Sequence, residues 1–223
     1  MMIRILIADD HPIVRRGLKQ ILAEEPDLNV QGEAQNGQEV LEKLREQEWD
    51  VLVLDINMPR ISGLEVLQEV KDRWPDLPVL VMSIHSEDQF GVRSLRAGAA
   101  GYLNKESAPD ELVSAIRKVH DGGKYVSPSL SEMLVAVLQS DPDRLRHEDL
   151  SNREYEVLLL IASGKTVSEI AENLNLSVKT VSTHRARTLS KMNLSTNAEL
   201  MHYAIQHGLV QSLRVDYGSQ RDG

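Results

Sequence analysis

Five short aliphatic runs recur along the first half of the chain, at residues 3–8, 28–34, 51–54, 79–82 and 101–103. Each is short enough for a strand, and most are rich in Val, Ile and Leu. Between them, apolar residues fall at helical spacing: Val14, Leu18, Ile21 and Leu22; Val40, Leu41 and Leu44; Leu64, Leu67 and Val70; the stretch from Phe90 to Leu95; Leu112, Ala115, Ile116 and Val119. A strand–helix alternation of this kind predicts a parallel sheet, because each crossover helix carries the chain back to start the next strand in the same direction. Five repeats predict a doubly wound α/β domain ending near His120.

The second half obeys a different period. Gly122 and Gly123 break the pattern, a short helix is expected over 129–139, and the polar stretch 140–148 with Pro142 suits a linker. From Leu150 onward the spacing is helical throughout. Ser151 with Glu154 forms a capping box for a helix through Ile161, which Gly164 ends, and further helices are expected over 167–174, 178–192 and 197–207. The expected fold is therefore a flavodoxin-like (βα)5 α/β domain followed by an all-α helix-turn-helix domain. The boundaries predicted are 1–122, a linker with a short helix over 123–148, a helical domain over 149–212, and a tail over 213–223. A length of 223 residues suits two domains.

Composition excludes several classes. The chain has no cysteine, which removes disulfides, thiolate metal sites and cysteine nucleophiles and favours a reducing cytoplasm. The apolar start, residues 1–8, is too short and wrongly flanked for a signal peptide, and no run approaches a membrane span, so a soluble protein without membrane association is expected. The net charge of -9 is unevenly placed: residues 1–140 hold 23 acidic against 15 basic residues, and residues 141–223 hold 11 against 10. The second domain is thus not penalised for approaching a polyanion.

In an open parallel sheet, functional groups collect beyond the carboxyl ends of the strands. Asp9 and Asp10 follow the first strand, Asp55 the third, Ser83 the fourth and Lys105 the fifth. Taken singly, each Asp or Ser is commonly a cap or turn residue and a lone Lys is commonly a solvated charge. Their joint register argues for one site. Three converging carboxylates repel one another, and hard oxygen ligands favour a magnesium (or manganese) ion among them. A carboxylate at Asp55 can then attack a phosphoryl donor, with the Lys105 ammonium neutralising the transferring group and the Ser83 hydroxyl within hydrogen-bonding reach of it.

These motifs, Asp9-Asp10-His11-Pro12, the segment from Asp55 to Gly63, Ser83, and Gly98 to Lys105, resemble the receiver domains of two-component systems over about the first 120 residues. The resemblance implies that Asp9, Asp10, Asp55 and the backbone carbonyl of Asn57 hold the metal and that Asp55 is phosphorylated by a sensor histidine kinase. It also implies that Lys105 contacts the phosphoryl group, and that Ser83 and Tyr102 form a switch pair whose movement alters the surface around Phe90 to Arg96. Asn57 and His85, just beyond Asp55 and Ser83, are expected to tune water access and the lifetime of the phosphoryl group.

The helix at 178–192 carries Lys179, Arg185, Arg187 and Lys191 and no acidic residue, with Val181, Leu189 and Met192 on a core-facing stripe. Basic charge alone is more often a solvated face. The preceding helix at 167–174 and the tight turn Asn175-Leu176-Ser177 make the pair a helix-turn-helix, with Ser177 capping the second helix. From Leu150 to Val210 the chain closely resembles the LuxR-type (NarL/FixJ-type) DNA-binding domain. By that resemblance the helix from Val178 enters the major groove of a double-stranded operator and the last helix supports a homodimer when the protein is phosphorylated. Ser182, Thr183 and Ala186 fall at base-reading positions, although Lys is frequent at the position of Ser182. Lys179, Thr180, Arg185, Arg187 and Lys191 fall where phosphates are met, Arg185 also being within reach of a guanine, and His184 is a packing or phosphate-contact residue.

The expected function is a DNA-binding transcriptional response regulator whose receiver masks or misplaces the helix-turn-helix until Asp55 is modified. The alternative is a phosphorylation-independent regulator that uses the receiver as a dimerisation module. An aspartyl-phosphate phosphatase is disfavoured because Asn57 stands where a general acid is needed, and an amide cannot protonate a leaving group. Turnover of an external substrate is not expected.

Overall fold

The computed structural model describes residues 2–59, 61–84, 87–139 and 146–210, the side chains of residues 88, 89, 136–139 and 146 excepted. His85, residues 140–145 of the expected linker and the expected tail lie outside these residues.

The chain opens with β1 (Ile3–Ala8), α1 (Pro12–Ala23), β2 (Leu28–Ala34), α2 (Gly37–Glu46) and β3 (Val51–Asp55). It continues through α3 (Gly63–Arg73), β4 (Val79–Ser83), α4 (Glu87–Arg96), β5 (Gly101–Asn104) and α5 (Ala108–His120). All strand pairs are parallel, in the order β2-β1-β3-β4-β5. Every residue of β3 and β4 is buried, as expected for strands covered on both faces. Alternate side chains serve opposite layers: Ile5, Ile7, Val53 and Leu80 pack with Leu18 of α1 and Leu112 and Ile116 of α5, while Leu6, Leu52, Leu54 and Val81 pack with Val40, Leu67 and Phe90 of α2, α3 and α4.

The order reverses at β1, whose neighbours β2 and β3 lead in opposite directions across the sheet. The crevice beyond the carboxyl ends of β1 and β3 is therefore the natural site in this topology. Gly63 closes its floor: a Cβ there would lie 2.0 Å from the Asp55 carbonyl oxygen, so only glycine lets α3 start this close under β3. Ser62 and Glu65 form the capping box of that helix.

After α5 the chain returns to the sheet, where Tyr102 N–H donates to the Tyr125 carbonyl at 3.1 Å. Helix α6 (Pro128–Gln139) then lies on α4, with Leu130 so close to Gly91 that a Cβ there would meet it at 2.7 Å. The stretch expected as a linker is thus docked on the first domain over its first half. A short 3-10 turn (Arg146–Asp149) leads into α7 (Asn152–Ala162), α8 (Val167–Asn173), α9 (Val178–Met192) and α10 (Asn197–Gln206). Capping boxes at Ser151/Glu154, Thr166/Glu169 and Thr196/Glu199 start α7, α8 and α10. Asn175 adopts φ 54° in the turn between α8 and α9, a left-handed conformation that Asn tolerates better than most residues.

Helix α7 is buried along nearly its whole length, because it is covered by the helical domain and by the first domain together. Phe90 of α4 meets Tyr155 edge-to-face, centroids 5.6 Å apart. Arg93 donates from Nε to Asn152 Oδ1 at 2.9 Å and from its guanidinium to the Leu150 carbonyl, with Cζ 4.6 Å from the centre of the Tyr155 ring. Arg96 pairs with Glu148 at 2.7 Å.

Candidate functional site

At the carboxyl end of the sheet, Lys105 lies between two carboxylates, its Nζ 2.6 Å from Asp9 Oδ2 and 2.8 Å from Asp55 Oδ2. The Lys105 amide donates to the Ser83 carbonyl at 2.8 Å, so the β4–β5 pairing itself aims the lysine across β3. Asp9 and Asp55 are each 1 % exposed. Burial raises the pKa of Asp55 above the usual carboxylate range, Lys105 opposes that rise, and the Asp9 charge adds to it. Burial acts against the Lys105 ammonium, yet Asp55 and Asp9 together outweigh it and hold its pKa above the ordinary lysine value.

Ligand atoms of Asp9, Asp10, His11 and Asp55 all lie within 4.8 Å of one another. The close approach of three carboxylates, with Lys105 as the ammonium among the described residues that pairs with two of them, suits a small hard cation. Asn57 N–H donates to Asp55 Oδ1 at 3.1 Å, fixing one oxygen of the carboxylate. Ser83 is fully buried at the end of β4, and Tyr102 is 1 % exposed with its ring inside the core.

Two residues of this site carried no individual prediction. His11 Nδ1 lies 2.7 Å from Asp10 Oδ1 and 3.3 Å from Asp9 Oδ1. Arg15, buried on α1, donates to the Asp9 carbonyl at 2.7 Å and pairs with Glu33 at 3.0 Å, anchoring the end of β1. Its only sequence signal is an arginine one turn before Leu18, on the apolar side of α1.

The second candidate surface is α9. Ser177 caps it, accepting from Thr180 N–H at 3.0 Å, and Val181, Thr188, Leu189 and Met192 are buried. The Thr188 hydroxyl donates to the Glu154 carbonyl at 3.2 Å and so ties α9 to α7. Lys179, Ser182, Thr183, Ala186 and Arg187 share one exposed face. Others of the predicted contact set are engaged inside the domain: Arg185 Nε donates to Asn197 Oδ1 at 2.6 Å, Lys191 Nζ to Glu154 at 2.7 Å, and the Thr180 hydroxyl meets that of Ser177 at 2.7 Å. His184 is half-buried, and burial lowers its pKa. The first domain covers α7, while the face of α9 on which base contacts are expected is exposed.

Between the two surfaces runs a cleft of about 420 Å³ lined by Asp10, His11 and Asn57 on one side and by Arg153, Leu174 and Asn175 on the other. Arg153, nearly inaccessible in that wall, pairs with the buried Glu156 at 2.8 Å, and a second nitrogen of Arg153 donates to the Met58 carbonyl at 3.3 Å.

Comparison with known proteins defines the class. Residues 5–117 match the response regulator receiver domain, and residues 148–204 match the luxR family of bacterial regulatory proteins. The chain belongs to the response regulators that join a receiver to a LuxR-type DNA-binding domain.

Among particular proteins, it is 39 % identical to the response regulator UvrY of Escherichia coli strain K12, over 93 % of this chain and 96 % of that one. It is 38 % identical to the response regulator GacA of Pseudomonas aeruginosa, over 95 % and 99 %. Among solved structures, RcsB of Salmonella enterica serovar Typhimurium, bound to the promoter rprA in the presence of phosphomimetic BeF3-, matches with a TM-score of 0.63 and 28 % identity, over 91 % of this chain and 98 % of that one. Among the described residues, no helix is long and apolar enough to cross a membrane.

Proposed function

We propose that Asp55 accepts a phosphoryl group from a sensor histidine kinase and that the modification governs binding of α9 to a double-stranded operator. The carrying observation is Lys105 held at 2.6 and 2.8 Å between Asp9 and Asp55, a preformed cationic partner for a dianion at Asp55. In this reading an Asp55 oxygen bonds to phosphorus as the N–P bond of the phosphohistidine breaks, and the departing imidazole nitrogen takes a proton from solvent. Lys105 follows the charge as it moves onto the phosphoryl oxygens, and the Ser83 hydroxyl donates to one of them. Asp9, Asp10, Asp55 and the Asn57 carbonyl would hold magnesium or manganese, which supplies further neutralisation of the phosphoryl oxygens.

The DNA side of the proposal rests on the exposed face of α9. Ser182, Thr183 and Ala186 read base edges, with Lys179 and Arg187 on phosphates. Thr180, His184, Arg185 and Lys191 act from the edges of that face, and Arg185 and Lys191 reach DNA only by releasing Asn197 and Glu154. Dimerisation through α10 on a two-fold operator, a cytoplasmic location and the domain boundaries given above complete the proposal.

The test is incubation with phosphoramidate and magnesium, followed by intact-mass measurement and selection of bound duplexes from a random-sequence pool. A single phosphoryl adduct, lost in Asp55→Asn, with tighter recovery of a defined duplex by the modified protein, is the expected result. Equal recovery with and without the adduct would remove phosphorylation from the function.

A further inference from the structure

Helix α4 and the segment following β3 both touch α7, but only the second is continuous with Asp55. Met58 lies three residues beyond that aspartate, is 2 % exposed, and offers its carbonyl to Arg153 at 3.3 Å. Arg153 divides its guanidinium: one nitrogen serves Met58 and the other holds Glu156 at 2.8 Å. Both side chains are nearly inaccessible, at 6 % and 4 %, and Glu156 Oε1 has no hydrogen-bond partner among the described residues. A buried ion pair that leaves one oxygen unsatisfied adds little net stability, because desolvation consumes the Coulombic gain. What such a pair provides is dependence on geometry: displacing the Met58 carbonyl takes a partner from a guanidinium that is nearly inaccessible.

The segment from Asp55 to Met58 is also where a new charge must be accommodated. Asn57 N–H already donates to Asp55 Oδ1, and Asn57 lines the cleft whose opposite wall contains Arg153. A phosphoryl group on Asp55 adds up to two negative charges and three acceptors at the head of the segment whose Asn57 amide holds Asp55 and whose Met58 carbonyl holds Arg153. A shift of that segment displaces the Met58 carbonyl from Arg153, which lines the same cleft as Asn57.

We propose that Arg153 is the positioning residue that carries the state of Asp55 to the helix-turn-helix domain, by gripping the Met58 carbonyl in the unmodified protein and releasing it when Asp55 is phosphorylated. This rests on Asp55 being the phosphoryl acceptor. The contacts of Arg93, Arg96 and Phe90 hold the α4 side of the same junction and involve neither Arg153 nor Met58. The two routes can therefore be separated by substitution.

The experiment uses the full chain with cysteines introduced at Gln20 and Gln206, both exposed, as the sole thiols in a cysteine-free sequence. Energy transfer between fluorophores on them reports the domain separation before and after phosphoramidate and magnesium. Arg153→Lys keeps a cation for Glu156 but has no second nitrogen for Met58. It should melt close to wild type, acquire the same adduct, and show a transfer change reduced several-fold. A second variant, Arg153→Met with Glu156→Met, removes the pair without stranding a charge and should give the same loss. A full wild-type response in both variants overturns the proposal and assigns transmission to α4. A wild type that takes up the adduct without any change in transfer overturns the proposal as well. Absence of the adduct in wild type is a distinct result, which removes the acceptor role of Asp55 and this inference with it.

Discussion

Glu156 makes the association of the two domains depend on pH in a direction the structure determines. Its carboxyl is buried against Arg153, with Glu65 and Arg93 of the first domain acting on it, and burial before any other cause raises its pKa to about 7. Arg153 pulls the value down and Glu65 pushes it up. When the domains part and water returns, the burial that raises the value is relieved and the carboxyl moves back toward its ordinary 4.5. The docked state therefore binds the proton more tightly. Its contribution to docking is fully present below the lower value and is lost as pH rises through the higher one. Between about pH 6 and about pH 8 the docking constant should fall roughly tenfold, ~1.4 kcal/mol. The energy-transfer pair at Gln20 and Gln206 reads this directly. His147 lies at the same junction and also titrates, so the decisive quantity is the ratio of wild type to Glu156→Gln at each pH, in which the other groups cancel. Parallel profiles for the two proteins would refute the reasoning, since they would mean that Glu156 keeps the same proton whether the domains are docked or apart.

Other measurements bear on the rest of the fold. Burial lowers the pKa of His147 to about 4, so as pH falls from its ordinary 6.5 toward that value the unfolded chain takes up a proton that the folded domain refuses. Stability present above pH 6.5 should drop by ~2 kcal/mol between about pH 7 and about pH 5, and His147→Gln should remove that dependence in urea titrations. Gly63→Ala places a methyl on the Asp55 carbonyl and should cost about 2–3 kcal/mol in the same assay; wild-type stability would show that α3 can start elsewhere. Arg187→Ala, on the open face of α9, should weaken binding to duplexes of any sequence and reduce the slope of log affinity against log salt by about one. An unchanged slope would take Arg187 off the phosphates.

The elements that position the acidic site were readable along the chain because their causes are local. Aliphatic runs of three to seven residues define strands, apolar spacing defines the helix faces, and Ser151 caps the first helix of the second domain by accepting from an amide three residues away. Asp9, Asp10, Asp55, Ser83 and Lys105 could be grouped in advance because strand ends in a parallel sheet share one edge. The open face of α9 follows likewise from the helical period once Val181, Leu189 and Met192 are assigned to the core.

The roles of Arg93, Arg153 and Glu156 could not be read that way. In the sequence Arg93 is one basic residue in a polar helix, and Arg153 and Glu156 look like an ordinary solvent-facing pair in the first turns of α7. Only the approach of α4 and the β3–α3 segment to α7 removes water from them, and Arg153 lies 95 positions from the carbonyl it reaches. Periodicity and capping specify each domain from within. Which faces meet depends on surfaces assembled from distant parts of the chain, and burial then converts two surface charges into a pair whose pKa and geometry respond to the neighbouring domain.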